Sequence, residues 1–280
     1  MEQSRIIEQI HNELKNGTVP WTKPWVVRPD SIISYATGKP YTSVLNRMML
    51  SYAGEWATYA QIKKLGGQVK KGEHGCPIRG SGTYTETNED TGEEKTRHCR
   101  RLWWVFRVGS QTEGLEPKWP ERWGGTPQQF SDDEPYELVK QYCERSDINL
   151  MFGGSQAFYS RSDDAIQVPN SSDFSDRNRF WHTVFHELVH STGHKSRLAR
   201  DRGSVHGTSQ YAREELVADI GSALCMGQFG MDVENSIPDT AAYCRNWATV
   251  IGSLNEHEFS KIVSQAEAAM KFIFNINSQE

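Results

Sequence analysis

The sequence contains no apolar run approaching the ~20 residues that a membrane-spanning helix needs. Its first residues, Met1 to Arg5, mix charges and lead into an amphipathic pattern rather than an apolar secretory segment. Cysteine is scarce. The five present, Cys76, Cys99, Cys143, Cys225 and Cys244, are an odd number without a close Cys-x-x-Cys pair. That spacing argues against a disulfide framework and a thiolate zinc knuckle, and it points to a reducing cytoplasm. Internal repeats and low-complexity tracts are also missing, which excludes solenoids and collagen-like chains. With 36% hydrophobic and 24% charged residues, the composition is globular rather than disordered.

What is present is unevenly distributed. Residues 1–122 hold 18 Lys/Arg and 14 Asp/Glu, a net +4, whereas residues 123–280 hold 13 and 22, a net −9. Charge segregated this way, in 280 residues, predicts two domains with different work. The linker is expected near 112–134, where Pro117, Pro120, Gly124, Gly125, Pro127 and an acidic run accumulate. The expected domains are therefore 1–122 and 135–280.

The first domain reads as small and α+β. Ile6, Ile7, Ile10 and Leu14 repeat at helical spacing up to Gly17, and the prolines of Val19-Pro-Trp-Thr-Lys-Pro-Trp25 then forbid helix. Thr42 or Ser43 can cap a helix through Leu50, and Thr58 can cap another ending at Gly66-Gly67. Strands and a hairpin around Asp90-Thr91-Gly92 follow, feeding Arg101 to Val108. The second domain opens with a helix at 136–145 and strands at 157–160 and 165–168. Helices are then expected at 175–192, 211–228, 239–252 and 257–276. This makes it a mostly helical domain with a small sheet.

Its chemistry is concentrated in Phe185-His186-Glu187-Leu188-Val189-His190. On a helix, residues four apart lie ~40° apart around the axis and ~6 Å along it, so His186 and His190 can grip one ion from one face. Glu187 stands where a carboxylate can accept a proton from water activated by that ion. Two imidazoles with a carboxylate suit zinc, one ion per chain, with a third protein ligand and an open position. About 0.02 such motifs are expected by chance from 9 His and 23 Glu in 280 residues. A second helix offers Glu215 as third ligand, with Glu214 as its competitor, and Asp219 to orient a ligating imidazole. His182 and His194 extend a four-residue ladder but lie ~120° apart around the helix and cannot share the ion. Tyr211 or His206 could donate to a developing oxyanion.

His-Glu-x-x-His followed by Glu-x-x-x-Asp resembles the gluzincin metallopeptidases, of which thermolysin is the familiar member. The longer string from His186 to Leu198, with Tyr211 to Asp219, resembles the metallopeptidase domain of ArdC-type antirestriction proteins. In the first half, Trp21-Thr-Lys-Pro-Trp25, Gly38-Lys-Pro-Tyr41, Leu65 to Gly75 and Val105-Phe-Arg-Val, followed by Gln111 to Leu115, resemble that family's single-stranded-DNA-binding domain. The segment Trp103 to Val108 is more basic and aromatic than the family pattern, and the insert at 81–100 is long. The resemblance implies a protein carried by conjugative plasmids or phages that protects incoming DNA from host restriction. It also implies single-stranded DNA as partner and a host restriction component or other protein as possible substrate.

The residue chemistry agrees. From Lys15 to Arg107 there are 15 Lys/Arg and 8 Asp/Glu, interleaved with tryptophans, the mixture that tracks a phosphate backbone and stacks bases. The best candidate contacts are Trp21, Lys23 and Trp25, and the strand face of Arg101, Trp103 and Arg107. Two rival functions remain: a DNA-coating protein with a non-catalytic zinc site, and a cytoplasmic zinc peptidase whose first domain docks protein substrates.

Overall fold

The computed structural model describes residues 4–23, 26, 28–50, 52–87, 94–122, 131–200, 209–237 and 240–276. The chain forms two compact units, one of Pro29–Gly125 and one combining Met1–Arg28 with Thr126–Glu280. Helix α1 (Arg5–Lys15) starts where the Ser4 hydroxyl accepts the Ile6 N–H, and it ends before Gly17 in the left-handed region. Its predicted stripe of Ile6, Ile7, Ile10 and Leu14 is buried, and a short 3-10 turn at Pro20–Thr22 follows. The expected first domain, 1–122, therefore does not coincide with a compact unit. The α1 stripe finds its partners in helices near the other end of the chain, an attraction that no local pattern encodes.

In the Pro29–Gly125 unit, β1 (Ile32–Ser34) is followed by α2 (Val44–Met49), β2 (Gly54–Thr58), α3 (Tyr59–Lys64) and β3 (Gln68–Val69). The long strands β4 (Cys76–Thr87) and β5 (Glu94–Arg107) and the short β6 (Thr112–Glu113) complete it. The main sheet has the order β1-β2-β5-β4, with β1 parallel to β2 and the other pairs antiparallel. Ser43 and Thr58 cap α2 and α3, Thr58 in a reciprocal box with Gln61. The Asn46 side chain donates to Arg79 O and accepts from Arg79 N, both at 2.8 Å, which fixes α2 to β4. Tyr35, Ala57, Ile62, Val108 and Leu115 form one core cluster.

Strand β5 meets β2 only through Val105 to Arg107, so most of the β4–β5 pair is a two-stranded ribbon. The expected turn at Asp90-Thr91-Gly92 lies outside the described residues. The start of the expected linker is anchored rather than free. Buried Glu55 accepts the backbone N–H groups of Lys118 (2.9 Å) and Trp119 (2.6 Å), and Arg122 donates to Gly38 O. A buried carboxylate needs donors, and this segment supplies them. Residues 123–130 lie outside the described set.

The other unit continues with α4 (Asp133–Ser146), the strands β7 (Asn149–Phe152), β8 (Phe158–Ser160) and β9 (Ala165–Val168), and α5 (Arg177–Thr192). It ends with α6 (Ser209–Gln228), α7 (Thr240–Gly252) and α8 (Glu256–Ile273). The sheet order is β7-β9-β8, with β7 parallel and β8 antiparallel to the central β9. Strand β7, too short to show a pattern beside α4, was not expected. Helix α5 carries the His-Glu-x-x-His motif, is capped by Asp176, and packs against α6, α8, β8 and β9. Helix α1 packs on α7 and α8. The molecule is thus a two-unit α+β protein, and among the described residues no helix is long and apolar enough to cross a membrane.

Candidate metal centre

Helices α5 and α6 bring three donors together. The Nε2 atoms of His186 and His190 stand 3.0 Å apart, and Glu215 places Oε2 at 3.4 Å from the first and Oε1 at 3.4 Å from the second. A tetrahedral ion with ~2.0–2.1 Å bonds spaces its ligand atoms ~3.3–3.4 Å apart, so the set has the dimensions of a metal shell. Two imidazole nitrogens at this range share either a proton, as a hydrogen bond, or a metal ion between them.

The other ring nitrogens are held by different carboxylates. His186 Nδ1 lies 3.0 Å from Asp219 Oδ1, while His190 Nδ1 lies 3.3 Å from Glu214 Oε1. Each carboxylate fixes the tautomer that turns Nε2 toward the shared point. Glu214 is itself gripped by Arg200, whose Nη2 and Nε reach its two oxygens at 2.8 and 3.1 Å, with further bonds to Thr192 Oγ1 and Val189 O. Asp219 Oδ2 accepts from the Tyr243 hydroxyl at 2.9 Å. Glu215, not its competitor Glu214, thus faces both Nε2 atoms. Nothing local in the sequence pointed to Arg200 or Tyr243 as partners of these carboxylates.

Electrostatics point the same way. Burial alone would lower the His186 pKa, but hydrogen bonds to Asp219 and Glu215, with the charges of Asp219 and Glu187, raise it to about 10. Burial pushes Glu215 and Asp219 upward, and their imidazole partners more than reverse this, holding both well below the ordinary carboxylate range. Glu214 is lowered likewise by His190 and Arg200. Among the described residues, Glu187, Glu214, Glu215 and Asp219 face the guanidinium of Arg200 and the proton that His186 keeps, so carboxylates outnumber cations in a largely buried place. A divalent cation fits both the donor set and the charge.

Glu187 follows His186 on α5 and is buried. Tyr211 lies on α6 one turn before Glu215, on the same face. His206 lies outside the described residues. His182 hydrogen-bonds Ser236 Oγ at 2.9 Å, and His194 bonds Ser196 Oγ at 2.7 Å and lies 3.8 Å from Asp164.

The expected DNA contacts divide. Trp21 is 0% exposed and donates to Tyr243, and Lys23 is buried and paired with Glu13. Neither is available to stack bases or track phosphates, because the 3-10 turn after Val19 directs this segment inward. Trp25 lies outside the described residues. On β5, Arg101 is exposed and Trp103 is 40% exposed, whereas Arg107 is half-buried with its guanidinium 5.6 Å from the Tyr52 ring. A Cβ on Gly80 would come within 2.7 Å of Trp103 Cδ1, so this glycine lets the indole lie across the ribbon.

Residues 2–108 match the family model for the N-terminal domain of the anti-restriction factor ArdC, and residues 137–266 match that for a zincin-like metallopeptidase. The metal-free crystal structure of the antirestriction ArdC protein from the R388 plasmid shares 28% identity and a TM-score of 0.69, over 96% of this chain and 94% of that one. The chain belongs to the ArdC-type proteins. The R388 ArdC structure bound to Mn(II) matches this ArdC-type chain at 26% identity and TM-score 0.67, over 98% of each. The DNA primase TraC of Escherichia coli is 30% identical over 99% of this chain, which spans only 27% of TraC's length. The uncharacterized protein y4eC of Sinorhizobium fredii (strain NBRC 101917 / NGR234) is 29% identical over 89% of this chain and 84% of its own.

Proposed function

We propose that this ArdC-type chain is a cytoplasmic antirestriction protein of a mobile element. In this reading the Pro29–Gly125 unit binds single-stranded DNA and the other unit is a zinc peptidase. The observation that carries the second half is the convergence of His186 Nε2, His190 Nε2 and Glu215, with each imidazole backed by its own carboxylate. Imidazole donors favour zinc over manganese, which prefers oxygen ligands. Zinc held there supplies Lewis acidity, acidifying water and polarising a carbonyl. Glu187 accepts the proton of the attacking water at its carboxylate and returns it to the departing amide nitrogen. Tyr211, on the face of Glu215, donates to the oxyanion.

For DNA, the support is the β4–β5 ribbon. From Lys95 to Arg107 the sequence has five Lys/Arg and no carboxylate. Trp103, lying across Gly80 beside exposed Arg101, offers a flat ring to any base. Metal analysis and peptide hydrolysis test the centre: His186→Ala, His190→Ala or Glu215→Ala loses the ion, whereas Glu187→Gln keeps it and loses hydrolysis. Retention of the full ion by Glu215→Ala would refute the donor set. Affinity for single strands should fall steeply with salt, because phosphate contacts release counterions. Equal affinity for duplex and single strands would refute the stacking.

A further inference from the structure

Trp21 and Tyr243 lie 222 residues apart in sequence and form one end of a hydrogen-bonded chain that ends at a metal donor. The indole Nε1–H donates to the Tyr243 oxygen (3.2 Å), the Tyr243 hydroxyl donates to Asp219 Oδ2 (2.9 Å), and Asp219 Oδ1 accepts from His186 Nδ1 (3.0 Å). We propose that Trp21 and Tyr243 are positioning residues of the metal centre. They hold the Asp219 carboxylate in the one orientation that presents His186 Nε2 to the ion shared with His190 and Glu215.

The need for such a device is visible around Asp219, which lies between two imidazoles. Its Oδ1 is 3.0 Å from His186 Nδ1 and 3.8 Å from His182 Nε2. His182, His186 and Asp219 also bring donor atoms within 4.8 Å of one another, so the same helices present a second, overlapping set that could capture a cation. In that set Asp219 would be a ligand instead of an acceptor, and His186 would have to turn Nδ1 rather than Nε2 to the ion. The Tyr243 hydroxyl holds Oδ2 and leaves Oδ1 to His186. Ser236 and Ser222 engage the two nitrogens of His182, at 2.9 and 3.4 Å.

Tyr243 is itself held between indoles. Its ring centroid lies 6.5 Å from Trp21 at 57° and 6.1 Å from Trp247 at 76°, and Trp21 meets Trp247 edge-on. Trp21 thus contributes a ring that sets where Tyr243 sits and a proton that sets where its hydroxyl points. The segment that supplies it follows α1, which packs on α7, the helix of Tyr243 and Trp247.

This inference rests on the metal reading above, and its test separates the two. The full chain and its Tyr243→Phe, Trp21→Phe and double variants are titrated with Zn(II) and Mn(II) against a chelator, and their Co(II) absorption spectra are recorded. Partners of a metal's ligands typically set ~10–100-fold in affinity, so Tyr243→Phe, which keeps the ring and loses the hydroxyl, should bind ~10-fold more weakly with a shifted Co(II) band. Trp21→Phe should weaken binding several-fold, and the double variant should be no weaker than Tyr243→Phe, since Trp21 acts through that hydroxyl. Should Tyr243→Phe fail to fold, Trp21→Phe alone carries the test with the same sign. Unchanged affinity and Co(II) spectrum in a folded variant, even one with a lowered melting temperature, would overturn the proposal and leave the metal centre standing. Equal binding by the wild-type chain and His186→Ala would overturn both.

Discussion

Ile10 tests the assignment of α1 to the metallopeptidase unit. Its side chain is 0% exposed within the stripe Ile6, Ile7, Ile10 and Leu14 that packs on α7 and α8. Ile10→Ala keeps helix propensity and removes three buried carbons, so the loss is the transfer energy plus the cavity, about 2–5 kcal/mol. For a unit of this size each kcal/mol moves the melting temperature by roughly 2–4 °C, so a mid-range loss predicts a drop of about 7–14 °C. Removing residues 1–28 altogether strips Ile6, Ile7, Ile10, Leu14 and Trp21, at ~1.5–3 kcal/mol each. That total reaches the whole stability of an ordinary domain, ~5–15 kcal/mol. A chain of residues 126–280 should therefore fail to fold, and residues 29–125 should fold alone. Hydrogen exchange locates the effect: in Ile10→Ala, amides of α7 and α8 should exchange faster while those of β2 and β5 do not change. Faster exchange in β2 and β5 with α7 and α8 untouched would show that α1 belongs with the ribbon-bearing unit, and the assignment would fail.

Three further outcomes follow from the site and the ribbon. His186, raised from 6.5 to about 10 without an ion, keeps its proton at neutral pH, so metal binding at pH 8 should release about one proton. Apparent affinity should then rise about tenfold per pH unit up to about 10; calorimetry in buffers of different ionisation enthalpy measures the proton, and zero release would refute the coupling. By the same sign, the metal-free protein gains stability from this proton that is fully present below pH 6.5 and lost as pH rises through about 10. Arg200→Ala leaves Glu214 buried without its guanidinium and should cost about 3–5 kcal/mol in chemical denaturation, whereas Glu214→Gln should chiefly weaken metal binding, by ~10-fold. Gly80→Val drives a side chain into the Trp103 indole and should lower single-strand affinity while metal affinity stays at wild type; unchanged DNA binding would remove Trp103 from the contact surface.

The sequence by itself determined most of the elements and the candidate donors. Helical periodicity placed α1 and the four helices from α5 onward to within a few residues, and the four-residue step of His186 and His190 dictated one shared face, because both are properties of a single helix. The resemblance of two strings of residues sufficed for the family. Only the tertiary structure decided which element packs on which. The apolar stripe of α1 is satisfied by any complementary surface, so nothing in residues 1–16 specified α7 and α8 over the neighbouring strands. The same holds for Trp21 and Lys23, whose types suit a DNA groove as well as a core; their burial was set by contacts with Tyr243, Trp247 and Glu13. Glu214 and Glu215 stand about 100° apart on α6. Which of them faces the two Nε2 atoms and which His190 Nδ1 goes with the position of Arg200, since a buried carboxylate takes the side on which its cation waits.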